Sequence, residues 1–318
     1  MLGSPVVSLK IAVYGTGGLG GYYGGRLAQA GAEVHLLARG PHLEAIRARG
    51  LRVESPLGDF EGTVPATEEP SNVGQCDFVL FCVKSFETDA AAEGLHPLIG
   101  EDTAVLSLQN GVDNEEKIAR AVGWPRVMGG AAFIFSTIRE PGVIAHTGGP
   151  TRIVFGEMDG SRTRRAQAFL ELCLRARIPC ELHSNVRQVL WDKFAFICAQ
   201  AGMTAAVRLP LVDIRDSPES WTLFRELIVE VCAVARAEGV ELGEDTVDRH
   251  LAFGRELEPG SLSSLHYDMT HGRRMELETL HGNVVRLARK HAIPVPATTA
   301  IYGILKPWAR RNERDQAR

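Results

Sequence analysis

The stretch Lys10-Ile11-Ala12-Val13-Tyr14-Gly15-Thr16-Gly17-Gly18-Leu19-Gly20 decides how the rest of the chain is read. Ile11 to Tyr14 is a short apolar run of the kind that forms a buried parallel strand. It breaks into a G-x-G-x-x-G, after which helical spacing resumes through Arg26, Leu27 and Ala30 to Gly31. In a dinucleotide fingerprint the first glycine (Gly15) allows the tight turn. The second (Gly17) admits a pyrophosphate, and the third (Gly20) lets helix pack on strand. The free N–H groups and positive end of the helix then hold the anion, so Thr16, Gly18 and Leu19 fall within the cofactor loop. Taken alone, this glycine pattern is a weak signal. Its setting strengthens it, because a second strand follows on schedule at Glu33-Val34-His35-Leu36-Leu37-Ala38.

The end of that second strand selects the nucleotide. An NAD site usually places a carboxylate there for the ribose 2′-hydroxyl. Here the position is Arg39, whose guanidinium suits a 2′-phosphate; the plain alternative is a surface arginine. The expected cofactor is NADP(H).

Composition bounds the remaining possibilities. With 318 residues, 45% hydrophobic and 23% charged, the chain suffices for two domains of ordinary globular character. A net charge of -4 gives no electrostatic case for nucleic acid or an anionic membrane, and no apolar run reaches the length of a membrane span. The first nine residues contain Pro5 and read as a ragged leader without a signal-peptide pattern. None of the six cysteines forms C-x-x-C and most lie in apolar segments, so they are expected to be buried and reduced. No paired histidine, cysteine or carboxylate spacing points to a metal. These features together fit a cytoplasmic protein.

Further along, strands are expected at Leu51–Val53, Phe60–Val64, Phe78–Val83 and Ala104–Leu108. Strand Phe78–Val83 ends in the polar lip Lys84-Ser85-Phe86, and Ala104–Leu108 ends in Gln109-Asn110-Gly111. Such carboxyl ends are where open α/β sheets bind ligands. Helices are expected at Leu43–Arg49, Glu115–Val122 and Arg165–Arg175. Further β structure is expected over Val127–Ile138, Val143–Phe155 and Cys180–His183, with Gly129-Gly130, Pro141-Gly142 and Gly148-Gly149-Pro150 as turns. Near Ser184 the character changes, and apolar residues recur at three and four. This spacing predicts helices over Val186 to about Ala206, Trp221–Glu238, Thr246–Phe253, Glu276–His291, and from Thr298 onward. The fold class is therefore α/β: a Rossmann-type dinucleotide-binding domain over residues 1–184, then an all-helical substrate domain over 185–318. A cleft is expected between them.

Two segments of the helical half carry unusual polar residues. One is Leu190-Trp191-Asp192-Lys193-Phe194-Ala195-Phe196, a lysine in an apolar helix, which is costly to bury without a partner or a task. A lysine snorkelling to the surface is the plain alternative. The other is Ser263-Ser264-Leu265-His266-Tyr267-Asp268, followed by Arg274-Met275-Glu276-Leu277-Glu278.

With these pieces in order, the chain resembles the ketopantoate reductases (2-dehydropantoate 2-reductases) from Lys10 to about Lys306. The resemblance rests on the glycine loop, Cys82-Val83-Lys84-Ser85, Leu108-Gln109-Asn110-Gly111, Trp191-Asp192-Lys193-Phe194, Ser263-Ser264 and Glu276. It extends through His281-Gly282 to His291-Ala292-Ile293-Pro294-Val295-Pro296. It implies that Lys193 is the general acid toward the ketone oxygen and that Glu276 orients lysine or substrate. Ser264 would bind the substrate carboxylate, and Lys84 and Asn110 would contact cofactor and substrate. Glu276 would also border the cofactor. A small-molecule 2-oxo acid partner and a place in pantothenate biosynthesis are further implications, while the apolar surface of the helical half could support a homodimer.

The chain departs from that pattern. Family members acting on ketopantoate carry asparagines four and eight residues after the lysine, where this chain has Ile197 and Ala201. A third family asparagine is Ser261 here. Gln200, seven residues after Lys193, falls on nearly the same helix face and is a candidate replacement. Retained reduction of a ketone, with a more apolar or bulkier substrate, is the expectation. The alternatives are a related hydroxy-acid dehydrogenase and a non-catalytic NADP(H)-binding regulator.

Overall fold

A computed structural model describes residues 8–316. The chain divides into two compact units, Met1–Gln109 with Asp113–Val186 and Asn110–Val112 with Arg187–Arg318. The leader-like reading of the first nine residues lies, for residues 1–7, outside the described part. Leu9 is already tied to the sheet, its carbonyl accepting the Glu33 N–H at 3.0 Å.

The first unit is an α/β structure. Its strands are β1 (Lys10–Tyr14), β2 (Glu33–Leu37), β3 (Leu51–Glu54), β4 (Phe60–Gly62), β5 (Ala66–Thr67), β6 (Cys76–Phe81), β7 (Ile99–Ser107), β8 (Val127–Glu140), β9 (Val143–Glu157) and β10 (Cys180–Leu182). Among the described residues they form one sheet in the order β4-β3-β9-β8-β7-β6-β1-β2-β5, with β10 on β9. The run from β8 through β1 to β5 is parallel, whereas β8–β9 and β3–β4 are antiparallel. Apolar side chains pack on both faces of this sheet, which is why Ile11-Ala12-Val13 and Val79-Leu80-Phe81 are fully buried runs with no polar alternation. The helices of this unit are α1 (Gly18–Gln29), α2 (Gly40–Arg49), α3 (Thr88–Glu93), α4 (Asn114–Val122) and α5 (Arg164–Arg175).

Two glycine clusters read as turns lie inside strands instead. Gly130 is within β8, where a Cβ would come within 2.9 Å of the Ser107 carbonyl oxygen and press on Leu106 and Leu108. Close approach between neighbouring strands, rather than a change of direction, requires the glycine. Gly148 and Gly149 lie within β9 at φ 153° and 87°, where the register against β8 shifts around Phe135. They form a bulge in a long hairpin. The reversal between β8 and β9 is at Pro141-Gly142, with Gly142 at φ 86°.

The second unit is helical: α6 (Val186–Val207), α7 (Leu211–Arg215), α8 (Pro218–Ala237), α9 (Thr246–Glu256), α10 (Ser264–Thr270), α11 (Asn283–Lys290) and α12 (Pro296–Gln316). Its core joins Phe194, Cys198 and Met203 of α6 to Phe224, Leu227 and Val231 of α8 and to Leu277, Leu280 and Ile301. The helix read over Glu276–His291 begins two residues later, as a π-helical turn over Glu278–Gly282 that runs directly into α11, and such turns recur at functional sites. A buried carboxylate fixes the start of α12, because Glu230 accepts the N–H groups of Ala297 and Thr298 at 2.8 and 2.7 Å. Among the described residues no helix is long and apolar enough to cross a membrane.

Candidate active site

The glycine loop joins β1 to α1. Gly15 sits at φ 98°, and a Cβ there would lie 2.7 Å from the Val83 nitrogen, so both backbone conformation and space demand glycine. The Gly15 and Thr16 N–H groups and the Thr16 hydroxyl all donate to the Leu37 carbonyl, at 3.2, 3.1 and 3.0 Å. Thr16 therefore pins the loop to β2. A methyl on Gly20 would strike the Gly15 carbonyl oxygen and come 2.9 Å from Val13 Cγ1, which is the helix-on-strand contact. Gly18 packs just as closely, on the backbone at Ser136, a contact the motif does not announce. Leu19 anchors the same turn in the apolar core.

Gly17 is different, since a Cβ there would meet nothing within 4 Å. The protein itself has no steric need for glycine at this position, and the open space lies at the N-cap of α1. No side chain caps that end and its first turn carries no carboxylate. An uncompensated helix N-terminus beside free space fits a pyrophosphate.

Arg39 follows β2 and is the N-cap residue of α2. Its guanidinium is ion-paired with Glu87, from the 3-10 turn Ser85–Glu87 after β6. Lys84 is exposed at the same lip, its carbonyl accepting the Glu87 N–H at 2.8 Å. Beneath it, Gln109 donates to the Val83 carbonyl at 2.9 Å and to the Thr88 hydroxyl at 2.8 Å. Thr88 in turn donates to Asn114 at 3.2 Å. Burial pushes the neighbouring Glu115 carboxyl up to about 7. This buried polar layer holds the backbone on either side of the Asn110 loop. The sequence marks Gln109 as part of a strand-end motif but gives no sign of its links to Thr88 and Asn114, which look like ordinary loop and cap residues.

In the second unit, α6 is apolar over most of its surface, and three polar residues recur along one stripe: Lys193, Gln200 and Thr204. The Lys193 ammonium donates to Asn110 Oδ1 at 2.9 Å, across 83 residues of sequence. Gly111 at φ 115° makes the turn that follows Asn110. The lysine side chain is half-buried rather than extended into solvent. Burial pushes its pKa down to about 8, against the opposing charge of the buried Glu276 carboxylate. An ammonium near its titration point, held by an amide oxygen and stabilised by the charge of a nearby carboxylate, can deliver or retrieve a proton at neutral pH.

The other site candidates on this unit sort by burial. Gln200 is buried and its Nε2 has no hydrogen-bond partner among the described residues. Ile197 is half-buried against the helical core, and Ala201 is buried. Ser264 is exposed at the first residue of α10. Ser263 has a structural task, accepting the His266 N–H at 3.0 Å and sharing a 2.7 Å hydrogen bond with the buried Thr204 hydroxyl. Thr204 also donates to the Gln200 carbonyl at 2.7 Å. This unanticipated threonine ties the serine segment to α6 one turn beyond Gln200. Its signal in the sequence was its place eleven residues after Lys193, on the same stripe. Ser261 is held by its backbone, its N–H donating to Glu258 and its carbonyl accepting from Leu211.

The structure thus brings Lys193, Asn110 and Glu276 together and places Gln200 and the Ser261–Ser264 segment further along α6. The sequence matches the family model described as ketopantoate reductase PanE/ApbA over residues 11–160. Its C-terminal counterpart matches over residues 185–309. A 2-dehydropantoate 2-reductase of Halobacterium salinarum is 31% identical over 303 residues, covering 94% of this chain and 98% of that protein. An uncharacterized oxidoreductase of Bacillus subtilis is 30% identical, covering 94% and 99%. Among solved structures, a PanE/ApbA family ketopantoate reductase from Ralstonia eutropha superposes with a TM-score of 0.88 at 34% identity, covering 96% of this chain and 100% of that one.

Proposed function

The chain belongs to the ketopantoate reductase family, and from that premise we propose that it reduces ketopantoate or a related, more apolar 2-oxo acid to the 2-hydroxy acid with NADPH. The observation that carries the catalytic assignment is the Lys193–Asn110 hydrogen bond beside Glu276. When bound, NADPH supplies hydride to the carbonyl carbon. Lys193 gives its proton to the carbonyl oxygen, which balances the hydride and leaves an alcohol and a neutral amine. The amide of Asn110 aims the ammonium, and the Glu276 charge keeps it protonated at neutral pH.

Residues 1–184 hold the nucleotide in this reading. The first-turn N–H groups of α1 bind the pyrophosphate, Arg39 the 2′-phosphate, and Lys84 borders the cofactor. Residues 185–318 form the substrate domain, with Ser264 on the substrate carboxylate and Ser261 and Gln200 as further polar contacts. Ile197 and Ala201 present hydrocarbon where ketopantoate-specific relatives would present amides, which favours a 2-oxo acid with an apolar side chain. The same reading has the enzyme acting on a small-molecule substrate in the cytoplasm, as a homodimer through the apolar surface of its helical half.

The test is loss of NADPH absorbance with a panel of 2-oxo acids that includes ketopantoate and longer aliphatic and aromatic members. Turnover is expected, with the higher kcat/KM on an apolar member. Absence of turnover with every member would leave a nucleotide-binding regulator. A clear preference for ketopantoate would overturn the inference from Ile197 and Ala201.

A further inference from the structure

Arg39 carries two claims on one guanidinium. The proposal above, on which this inference rests, assigns it to the 2′-phosphate of NADP(H). In the structure it is paired with the carboxylate of Glu87, 48 residues further along the chain. The pairing follows from topology. Strands β2 and β6 flank β1 on either side, so the residues just past their carboxyl ends stand on both sides of the glycine loop. Arg39 comes from one edge of that opening and Glu87 from the other. The Arg39 side chain is 71% exposed and that of Glu87 is 30% exposed, so the pair is open to an entering anion.

Glu87 is also fixed at its backbone. Its N–H is held by the Lys84 carbonyl, and the next residue begins α3. The carboxylate can rotate away from Arg39, but the chain that carries it is anchored beside the opening. A 2′-phosphate bears close to two negative charges near neutral pH, as phosphate monoesters do. It must take over N–H donors now serving Glu87 and must sit near a carboxylate of like charge. A 2′-hydroxyl makes neither demand.

We propose that Glu87 is a specificity-determining residue of the nucleotide site: it occupies Arg39 when no nucleotide is bound and competes with the 2′-phosphate, narrowing the preference for NADP(H) over NAD(H). The Glu87 carboxylate thus stands in for the ligand's phosphate and has to be displaced by it.

The experiment is calorimetric titration of NADP+ and of NAD+ into the wild-type protein, Glu87→Gln, Arg39→Ala and the double variant, at low and high salt. Glu87→Gln keeps the shape and removes the charge. It is expected to tighten NADP+ by about two- to tenfold, with NAD+ unchanged within about twofold and the gain shrinking as salt rises. Glu87→Ala should move NADP+ in the same direction, which guards against an accident of the glutamine side chain. On the Arg39→Ala background the Glu87→Gln gain should shrink, because the competition for the guanidinium is gone and only the like-charge repulsion remains. Unchanged or weakened NADP+ binding in Glu87→Gln, or an equal shift for both nucleotides, would overturn the assignment of Glu87. If Arg39→Ala itself leaves NADP+ affinity intact, the underlying reading of Arg39 fails, and that failure is seen in a different variant.

Discussion

In the glycine loop the decisive atoms belong to the backbone. Gly15, Gly18 and Gly20 are required by contacts within the protein, and Gly17 alone is left facing open space. In the lysine site the decisive atoms belong to side chains from three separate segments, at 110, 193 and 276, and burial sets the proton affinity of the central one. In the proposed reading the loop recognises an invariant part of a nucleotide, so contiguous glycines suffice. The lysine site would move a proton on a variable substrate, so its parts are free to change one at a time, and the resemblance reads Ile197 and Ala201 as such changes beside the Lys193–Asn110 pair.

The sharpest way to break this contrast is to delete the acid and leave the loop alone. Lys193→Ala should lower kcat by about 10²–10⁴-fold, the usual range for a positioned general acid. The Kd for NADP+, read by titration, should stay within about twofold, because the ammonium is not among the groups assigned to the nucleotide. A large loss of NADP+ affinity with a modest loss of turnover would mean that Lys193 serves binding.

Within the loop, two alanine substitutions separate ligand from fold. Gly20→Ala drives a methyl into the Gly15 carbonyl and Val13. It should cost about 1–3 kcal/mol of stability, seen in urea or thermal unfolding, whether or not nucleotide is present. Gly17→Ala meets no protein atom and keeps an extended backbone that alanine adopts freely. Stability should hold, while NADP+ binding weakens about 10–100-fold because the methyl takes the space of the pyrophosphate. Equal effects of the two substitutions on stability would erase the distinction between a glycine kept for packing and one kept for a ligand.

The same contrast explains what could be read from residues alone. The parallel strands were legible because burial on both faces forces continuous apolar runs, as at Phe78–Phe81, and the long helices were legible from their three-and-four spacing. Gly129-Gly130 and Gly148-Gly149-Pro150 misled because glycine marks close approach and bulges as readily as turns. Helices α7 and α10, of five and seven residues, are too short for periodicity to register. The π-helical turn at Glu278–Gly282 inserts one extra residue per turn, which spacing cannot see against a helical background. At the site, Lys193 was conspicuous as a charge in an apolar helix. Its pairing with Asn110 is a tertiary contact that no local pattern encodes. Thr204 went unnoticed, and Gln109 was marked only as part of a strand-end motif, because uncharged side chains carry no warning of the hydrogen bonds they will make.

The finest distinction lies in the pH profile, which reads the electrostatics of the lysine site and nothing of the loop. In the proposed mechanism reduction requires the ammonium. With the Lys193 pKa at about 8, kcat/KM for 2-oxo acid reduction should be level below that pH and fall about tenfold per unit above it. Oxidation of the hydroxy acid requires the neutral amine, so its rate should rise through the same pH. Burial lowers this pKa and the Glu276 charge raises it. Glu276→Gln removes only the raising influence, so the break should move to lower pH in both directions of reaction, with a change of less than about tenfold at pH 8. The family resemblance also assigns Glu276 to the border of the cofactor, so kcat itself is not the readout in that variant; the position of the break reports the lysine. A break that stays put in Glu276→Gln would mean that the titrating group is some other residue, and the side-chain half of the contrast would lose its central member.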